Sequence, residues 1–405
     1  MKQLWRKPTI YGAIALGAMT FACQPQDDNP SIQNDDVVEY VKYQNGDIIP
    51  GKYIVRLNPT NINFRKTKNY AADTEAMRKV SSDLLAKYRI SAESIEYVYG
   101  SSIEGFSAAL TDEQLADLSK DPSIKYIEND RFFALAPPDG KGPKGGGGST
   151  SQETPWGITR VGGGAAYNGG GKAFIIDSGI DSSHEDLNVD ASLGFNAFTS
   201  GKDADILVDG NGHGTHVSGT IAAKDNEVGV IGVAPGATVI PVKVLNSRGS
   251  GSYSGVIAGI NWVTSHGSNG DVANMSLGGG FSQAVNDAVI SLGSAGIQVA
   301  LAAGNESTDA NTKSPASANG NNIYTVAAFK EGDIWASFSN YGNPPIDYAA
   351  PGVGILSTVP GGYASYNGTS MASPHVAGLL LLGTIHSDGT VNNAPFGVSY
   401  PIAHH

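Results

Sequence analysis

Four short segments carry the residues that could do chemistry. Asp177 closes the apolar run AFIID, His213 stands in DGNGHGTHVSG, Asn305 follows ALAAG, and Ser370 lies in NGTSMASPHVAG. Each has an ordinary structural reading. A Ser before an apolar helix is a common N-cap. An Asp after a strand often starts a turn, and an Asn after Gly suits a left-handed one. A single His is commonly a satisfied core or capping residue. Together they supply a hydroxyl, a base, a carboxylate to fix the tautomer of that base, and an amide donor. Those are the parts that acyl transfer needs. His213 and His216 are spaced i, i+3 without the Glu of an HExxH helix, which makes zinc a poor reading.

These parts have to be held in place. From Trp156 onward, short apolar runs alternate with helical stretches. AFIID, TVIPVKVL, DVANMSL, IQVALAAG and IYTVAAF read as buried strands. SYSGVIAGINWVTSHG and SQAVNDAVISLGSAG read as amphipathic helices between them. The pattern predicts an α/β fold with a doubly wound, mostly parallel sheet covered on both faces. Sites in such sheets gather at the carboxyl ends of the strands. Asp177 and Asn305 fall at strand ends, and His213 and Ser370 at helix starts. GGGAAYNGGG precedes a strand instead of joining strand to helix, so it is not a dinucleotide-binding turn.

A smaller unit precedes this one, over residues 48–135. KYIVRL, SIEYVYG, GFSAAL and IKYIEND are strand signals. Met77, Val80, Leu84, Leu85 and Tyr88 share one helical face. Thr111 and Gln114 form a capping-box signature before a second helix. The order β-α-β-β-α-β predicts a small α+β ferredoxin-like domain. Residues 136–155 are rich in Pro and Gly and read as a linker with a processing region. Residues 156–405 form the second domain.

Composition narrows the classes. Charged residues are 16% of the chain, below the usual share of about 25%. The net charge of −12 argues against nucleic acid as a partner. Cys23 is the only cysteine, so no intramolecular disulfide or downstream catalytic thiol can form. Lys2, Arg6 and Lys7 precede the apolar stretch Ile10–Ala22. A charged region before an apolar run too short to span a bilayer predicts an export signal over residues 1–23. Cys23 falls at the expected cut site and resembles a bacterial lipid-attachment cysteine, although Thr20 replaces the usual Leu. Residues 24–47 then read as a polar tether. The expectation is a cell-envelope lipoprotein precursor with an extracellular mature form.

The stretches IIDSGI, NGHGTHVSGT, NMSLGGG, AAGN, FSNYG, APG and NGTSMASPHVAG resemble the subtilisin-like serine proteases. VKVLNSRGSGSYSGVIAGINWV points to their proteinase K-like branch. The resemblance covers about residues 155–383. YIVRL, GFSAAL and IKYIEND resemble the family's propeptide, an inhibitor and folding chaperone.

The resemblance implies a secreted endopeptidase made as an inhibited zymogen. Ser370 would be the nucleophile, His213 the base and then the acid, and Asp177 the orienting carboxylate. Asn305 and the Ser370 N–H would hold the oxyanion. Ser250, Gly251 and Ser252, with Ser276, Leu277 and Gly278, would flank the substrate as extra strands. Ala302 and Gly304 would wall a pocket of apolar or aromatic preference. The propeptide tail DRFFALA would lie in the cleft and be cut near Leu135 or in the linker beyond.

No cofactor is implied for catalysis. Structural calcium is, at unlocated sites, and Lys330 stands where the branch places a calcium-binding Asp. The implied partners are protein or peptide substrates, the chain's own propeptide, and a lipid anchor on the precursor. Ser373 and Pro374 are expected to open the helix body after Ser370, with His375 structural. The competing expectation is a catalytically silent binding or adhesion protein on the same scaffold. Such a protein would be expected to lose a triad member or Asn305. The GxSxG elbow of esterase-type α/β-hydrolases is absent around Ser370.

Overall fold

The computed structural model describes residues 44–135, 139–141 and 151–405. The export segment, Cys23, most of the tether and part of the linker lie outside the described residues.

In the N-terminal unit, strands Ile48–Leu57, Ile95–Tyr99, Gly105–Ala109 and Ile124–Ala134 form an antiparallel sheet. Their order is fourth, first, third, second. Helices Tyr70–Lys87 and Asp112–Leu118 accompany it. The capping box closes in both directions, Gln114 N–H to Thr111 Oγ1 at 3.2 Å and Thr111 N–H to Gln114 Oε1 at 3.0 Å. Met77, Leu84 and Leu85 bury their apolar face with Tyr53, Val55 and Phe106. Removing that apolar surface from water is what holds so small a sheet to its helix.

In the C-terminal unit, a parallel sheet runs in the order 346–351, 323–330, 298–302, 272–275, 172–177, 238–243. Helices His213–Ala222 and Thr369–Leu382 cover one face, burying Val217, Ile221, Val376 and Leu379. Helices Tyr253–His266 and Gln283–Ser294 cover the other, burying Val256, Ile260, Val285 and Leu292. With both faces buried, the strands need no polar alternation, which is why they read as continuous apolar runs. Pro401–His404 adds an unforeseen parallel strand beside Ile346–Pro351.

The two units dock edge to edge. Phe132–Ala134 pairs antiparallel with Ser250–Ser252. Asp130 accepts from Ser254 N–H at 3.0 Å and Ser254 Oγ at 2.5 Å, at the start of helix Tyr253–His266. Glu128 accepts from Ser282 Oγ and from Ala284 N–H at the start of Gln283–Ser294. A carboxylate at a helix N-terminus meets orphan donors and a favourable dipole.

Three boundaries differ from the sequence reading. Gly46 and Asp47, assigned to the tether, are hydrogen-bonded to the Ile124–Ala134 strand. Asp139–Lys141, assigned to the linker, is a strand paired with Ser365–Asn367. Gln152 and Glu153, also assigned to the linker, bond into the loop at Glu227–Ile231. In each case main-chain pairing with a distant segment outweighs a polar or Gly-rich local composition.

Candidate active site

Asp177 is the last residue of strand Lys172–Asp177 and is fully buried. Its Oδ1 accepts from Ser178 N–H at 2.7 Å, and both oxygens lie 2.9 Å from His213 Nδ1. His213 opens helix His213–Ala222 behind Gly212. A Cβ at Gly214 would stand 2.0 Å from the Gly179 carbonyl oxygen and 3.3 Å from Asp177 Cβ. Only glycine lets this helix start rest on the strand end. Burial pushes the His213 pKa down. The charge and hydrogen bond of Asp177, with the charge of Asp209, outweigh that and hold it above 6.5.

Asp209 is a buried residue that sequence reasoning missed. It accepts from Ser178 Oγ at 2.9 Å, Gly212 N–H at 2.8 Å, Asn211 N–H at 3.1 Å, and Thr215 N–H and Oγ1 at 2.9 and 2.7 Å. One carboxylate thus ties the strand end of Asp177 to the helix start of His213. An Asp in the glycine-rich approach to His213 was the available signal. Its convergence with Ser178 is a matter of tertiary structure.

Ser370 is the second residue of helix Thr369–Leu382, which begins behind Gly368. The expectation that Ser373 and Pro374 open the helix is corrected, since Pro374 lies inside it. Proline has no N–H to offer the carbonyl four residues back. That carbonyl belongs to Ser370, and it accepts from Ser276 Oγ at 2.8 Å instead. Ser276 Oγ in turn accepts from Asn274 Nδ2 at 2.9 Å, and Ser373 Oγ donates to Asn274 Oδ1 at 2.9 Å. Ser370 Oγ donates to the Ser276 carbonyl at 3.1 Å, not to His213.

Asn305 Oδ1 accepts from Thr369 N–H at 2.8 Å and Thr369 Oγ1 at 2.9 Å. Its donor end then faces Gly368, where a Cβ would sit 3.5 Å from Nδ2. His216 and His375 lie apart from this chemistry. His216 Nε2 lies 3.1 Å from two carbonyls, and burial pushes its pKa to about 3. His375 Nδ1 bonds the Met371 carbonyl, and burial lowers its pKa to about 4.

A cavity of ≈ 580 Å³ joins His213, Ser370 and Asn305 with Ser276, Leu277, Gly278, Ala302 and Gly304. Ala134 and Leu135 of the propeptide tail and Gln44 and Asn45 line it too. Leu135 N–H donates to the Gly249 carbonyl at 2.9 Å. Phe133 stacks on Tyr253 with ring centroids 4.2 Å apart. Ser250, Gly251 and Ser252 pair antiparallel with Ala134, Phe133 and Phe132 of the tail. Ser276, Leu277 and Gly278 line the cavity, but the tail's other edge meets Gly46 and Asp47 instead. Glu306 and Tyr253 were also missed. Glu306 lines the cavity, with Oε2 held by Asn340 Nδ2 at 2.7 Å.

Among the described residues, no group of three His, Cys, Asp or Glu could hold a metal. Calcium also accepts carbonyl oxygens. Asp186 Oδ1 is buried without a hydrogen-bond partner. Its other oxygen accepts from Val230 N–H at 3.1 Å, at the end of a loop whose Lys224 carbonyl accepts from Gln152 Nε2 at 2.7 Å. A buried carboxylate oxygen with no partner, next to a loop tied to Asp186 at both ends by Lys224 N–H and Val230 N–H, is a hard-oxygen donor of the kind calcium takes.

Comparison with known proteins agrees with this geometry. Residues 172–385 match the Subtilase family, and residues 52–136 match Peptidase inhibitor I9. Subtilisin NAT of Bacillus subtilis subsp. natto is 42% identical over 288 residues, covering 69% of this chain and 70% of its own. Subtilisin-like protease 7 of Arthroderma gypseum is 40% identical over 357 residues, covering 84% and 83%. A crystal structure of a cold-adapted subtilisin-like serine proteinase aligns with a TM-score of 0.54 at 35% identity, over 62% of this chain and 97% of that one. The chain therefore belongs to the subtilase family, as a serine endopeptidase that carries an I9-type propeptide.

Proposed function

We propose that the chain is an exported zymogen that uses Ser370, His213 and Asp177 to cut itself between Leu135 and Asp139, and then hydrolyses other proteins. One observation carries this reading. Leu135 is bonded to Gly249, Asp139 is paired with Asn367, and Leu135 and Asn367 line the same cavity as Ser370. Only residues 136–138 lie between those anchors.

The steps follow from the geometry. Rotation about χ1 carries Ser370 Oγ from the Ser276 carbonyl to His213 Nε2. His213 takes the hydroxyl proton as Oγ bonds to the substrate carbonyl carbon. Asn305 Nδ2 and the Ser370 N–H receive the oxyanion. The imidazolium, held by Asp177, then gives its proton to the leaving amine, and water repeats the cycle on the acyl-enzyme. Asn305→Ala is expected to lower kcat by about 10²–10³ with little change in KM, the worth already measured for such a donor in this family. Steady-state peptide hydrolysis by the cut enzyme checks it.

Phe133 on Tyr253 and the small walls at Ala302 and Gly304 support a broad, apolar or aromatic preference. The stretch around VKVLNSRGSGSYSG supports the proteinase K-like branch, and the Ile10–Ala22 run with Cys23 supports export as a lipoprotein precursor. In that case the cut frees the protease from its anchor. Asp186 Oδ1, together with oxygens of the adjoining 224–230 loop, would hold a structural calcium. Adding calcium to chelator-treated protein is expected to raise Tm by about 5 °C. Asp186→Asn should remove that rise, which differential scanning calorimetry reads.

The test of the main reading is to incubate the full chain and follow its intact mass alongside peptide hydrolysis. A split between Leu135 and Asp139 with rising activity supports it. A folded chain that stays whole and inert contradicts it.

A further inference from the structure

We infer that Asn45 is a positioning residue for self-processing and inhibition, bridging the propeptide tail to the Ser276–Gly278 wall of the cleft. The inference rests on the zymogen reading above. It concerns residues that precede the segment matched to the I9 inhibitor, which starts at residue 52.

The tail strand has two edges. Residues of odd number face Ser250–Ser252, through the Phe133–Gly251 pair and the Leu135 N–H. Residues of even number face the other way. There, Gly46 N–H donates to the Phe132 carbonyl at 2.8 Å, and Phe132 N–H donates to the Asp47 carbonyl at 2.9 Å. Arg131 also donates to the Gly46 carbonyl at 2.8 Å. The segment before Ile48 thus extends the first propeptide strand alongside the tail, up to the cleft.

Asn45 completes that edge. Its Oδ1 accepts from Ala134 N–H at 3.3 Å, and its Nδ2 donates to the Gly278 carbonyl at 2.7 Å. A primary amide offers one acceptor and two donors. It can therefore stand between a main-chain N–H and a main-chain carbonyl and satisfy both. Asn45 lines the same cavity as Ser370 and His213. The enzyme wall at Gly278 is reached through this side chain, so Asn45 sets where Ala134 and the residues after it sit relative to Ser370.

The site is local and exposed, so substitution should leave the fold intact. Asn45→Ala removes both bonds. Asn45→Asp keeps an acceptor but turns it on the Gly278 carbonyl. In the full chain, each variant is expected to slow the first cut roughly 2- to 10-fold, the range that one or two modest hydrogen bonds allow. Each should also raise, by a similar factor, the peptidase activity of the cut complex before the propeptide is degraded. Asn45→Gln, which keeps the amide, should recover part of the effect.

Intact mass gives the cut rate, an active-site titration gives the inhibited fraction, and Tm controls for folding. If both variants match the wild type in cut rate and inhibited fraction, Asn45 is not a positioning residue, although the zymogen reading survives. If the wild type is never cut, both fall. If Asn45→Ala lowers Tm without changing either readout, the bridge is structural only and the inference is wrong.

Discussion

Ser370→Ala is expected to leave the precursor whole under conditions where the wild type splits. It should cut the rate of the acyl-transfer step on the order of 10⁶-fold, the loss already measured for the nucleophile of a relative. The size follows from what alanine cannot replace. Ser370 Oγ stands in one cavity with the His213 imidazole and the Asn305 amide, while the cavity's other hydroxyls, on Ser276 and Thr369, donate to the Ser370 carbonyl and to Asn305 Oδ1. The Ser276–Ser370 carbonyl bond is main chain on the Ser370 side, so the substitution leaves it standing. Helix Thr369–Leu382 should persist, and with it the Ser370 N–H. Intact mass over time is the check. A Ser370→Ala chain that splits as fast as the wild type would assign the cut to another agent.

Asp177→Asn should lower kcat by about 10⁴ while leaving KM nearly unchanged. Both Asp177 oxygens lie 2.9 Å from His213 Nδ1. An amide offers one acceptor, and it can turn its donor to Nδ1 and stabilise the wrong tautomer. The pH profile should move as well. His213 must be neutral to take a proton, and its pKa is held above 6.5 against the pull of burial by Asp177 and then Asp209. Wild-type activity is therefore lost as pH falls through a value above 6.5. Removing the Asp177 charge lowers that pKa, so the acid limb of the variant should shift to lower pH. A kcat–pH curve for each protein decides it. An unmoved limb would mean that His213 is not the titrating base.

How much of this could be read in the chain varies with how local the cause is. The parallel strands were legible because burial on both faces leaves continuous apolar runs, as at Lys172–Asp177. The Thr111–Gln114 capping box was legible because both its bonds span three residues. The co-location of Asp177, His213, Asn305 and Ser370 was legible because strand ends and helix starts converge in a doubly wound sheet.

Pro374 was misread because a sound local rule was overridden. Ser276 supplies the Ser370 carbonyl with a donor from 94 residues away. Gly46 and Asp47, and likewise Asp139–Lys141, read as tether and linker because the segments they pair with, at Phe132 and at Ser365–Asn367, are far away in the chain. Asp209 escaped because the one bond that makes it a link, from Ser178 Oγ, comes from 31 residues away, while its other four bonds are local and read as an ordinary turn.

In the proposed mechanism, everything rests on Ser370 Oγ as the nucleophile activated by His213. Labelling with an organophosphonyl fluoride, followed by peptide mapping, tests that role most directly. The reagent phosphonylates an activated serine hydroxyl and releases fluoride. One added mass is expected on the peptide containing Ser370 in the cut wild type, with activity lost in step. No labelling of the His213→Ala chain is expected. Full loss of activity with the label on any other residue, or full activity with Ser370 labelled, would contradict that role.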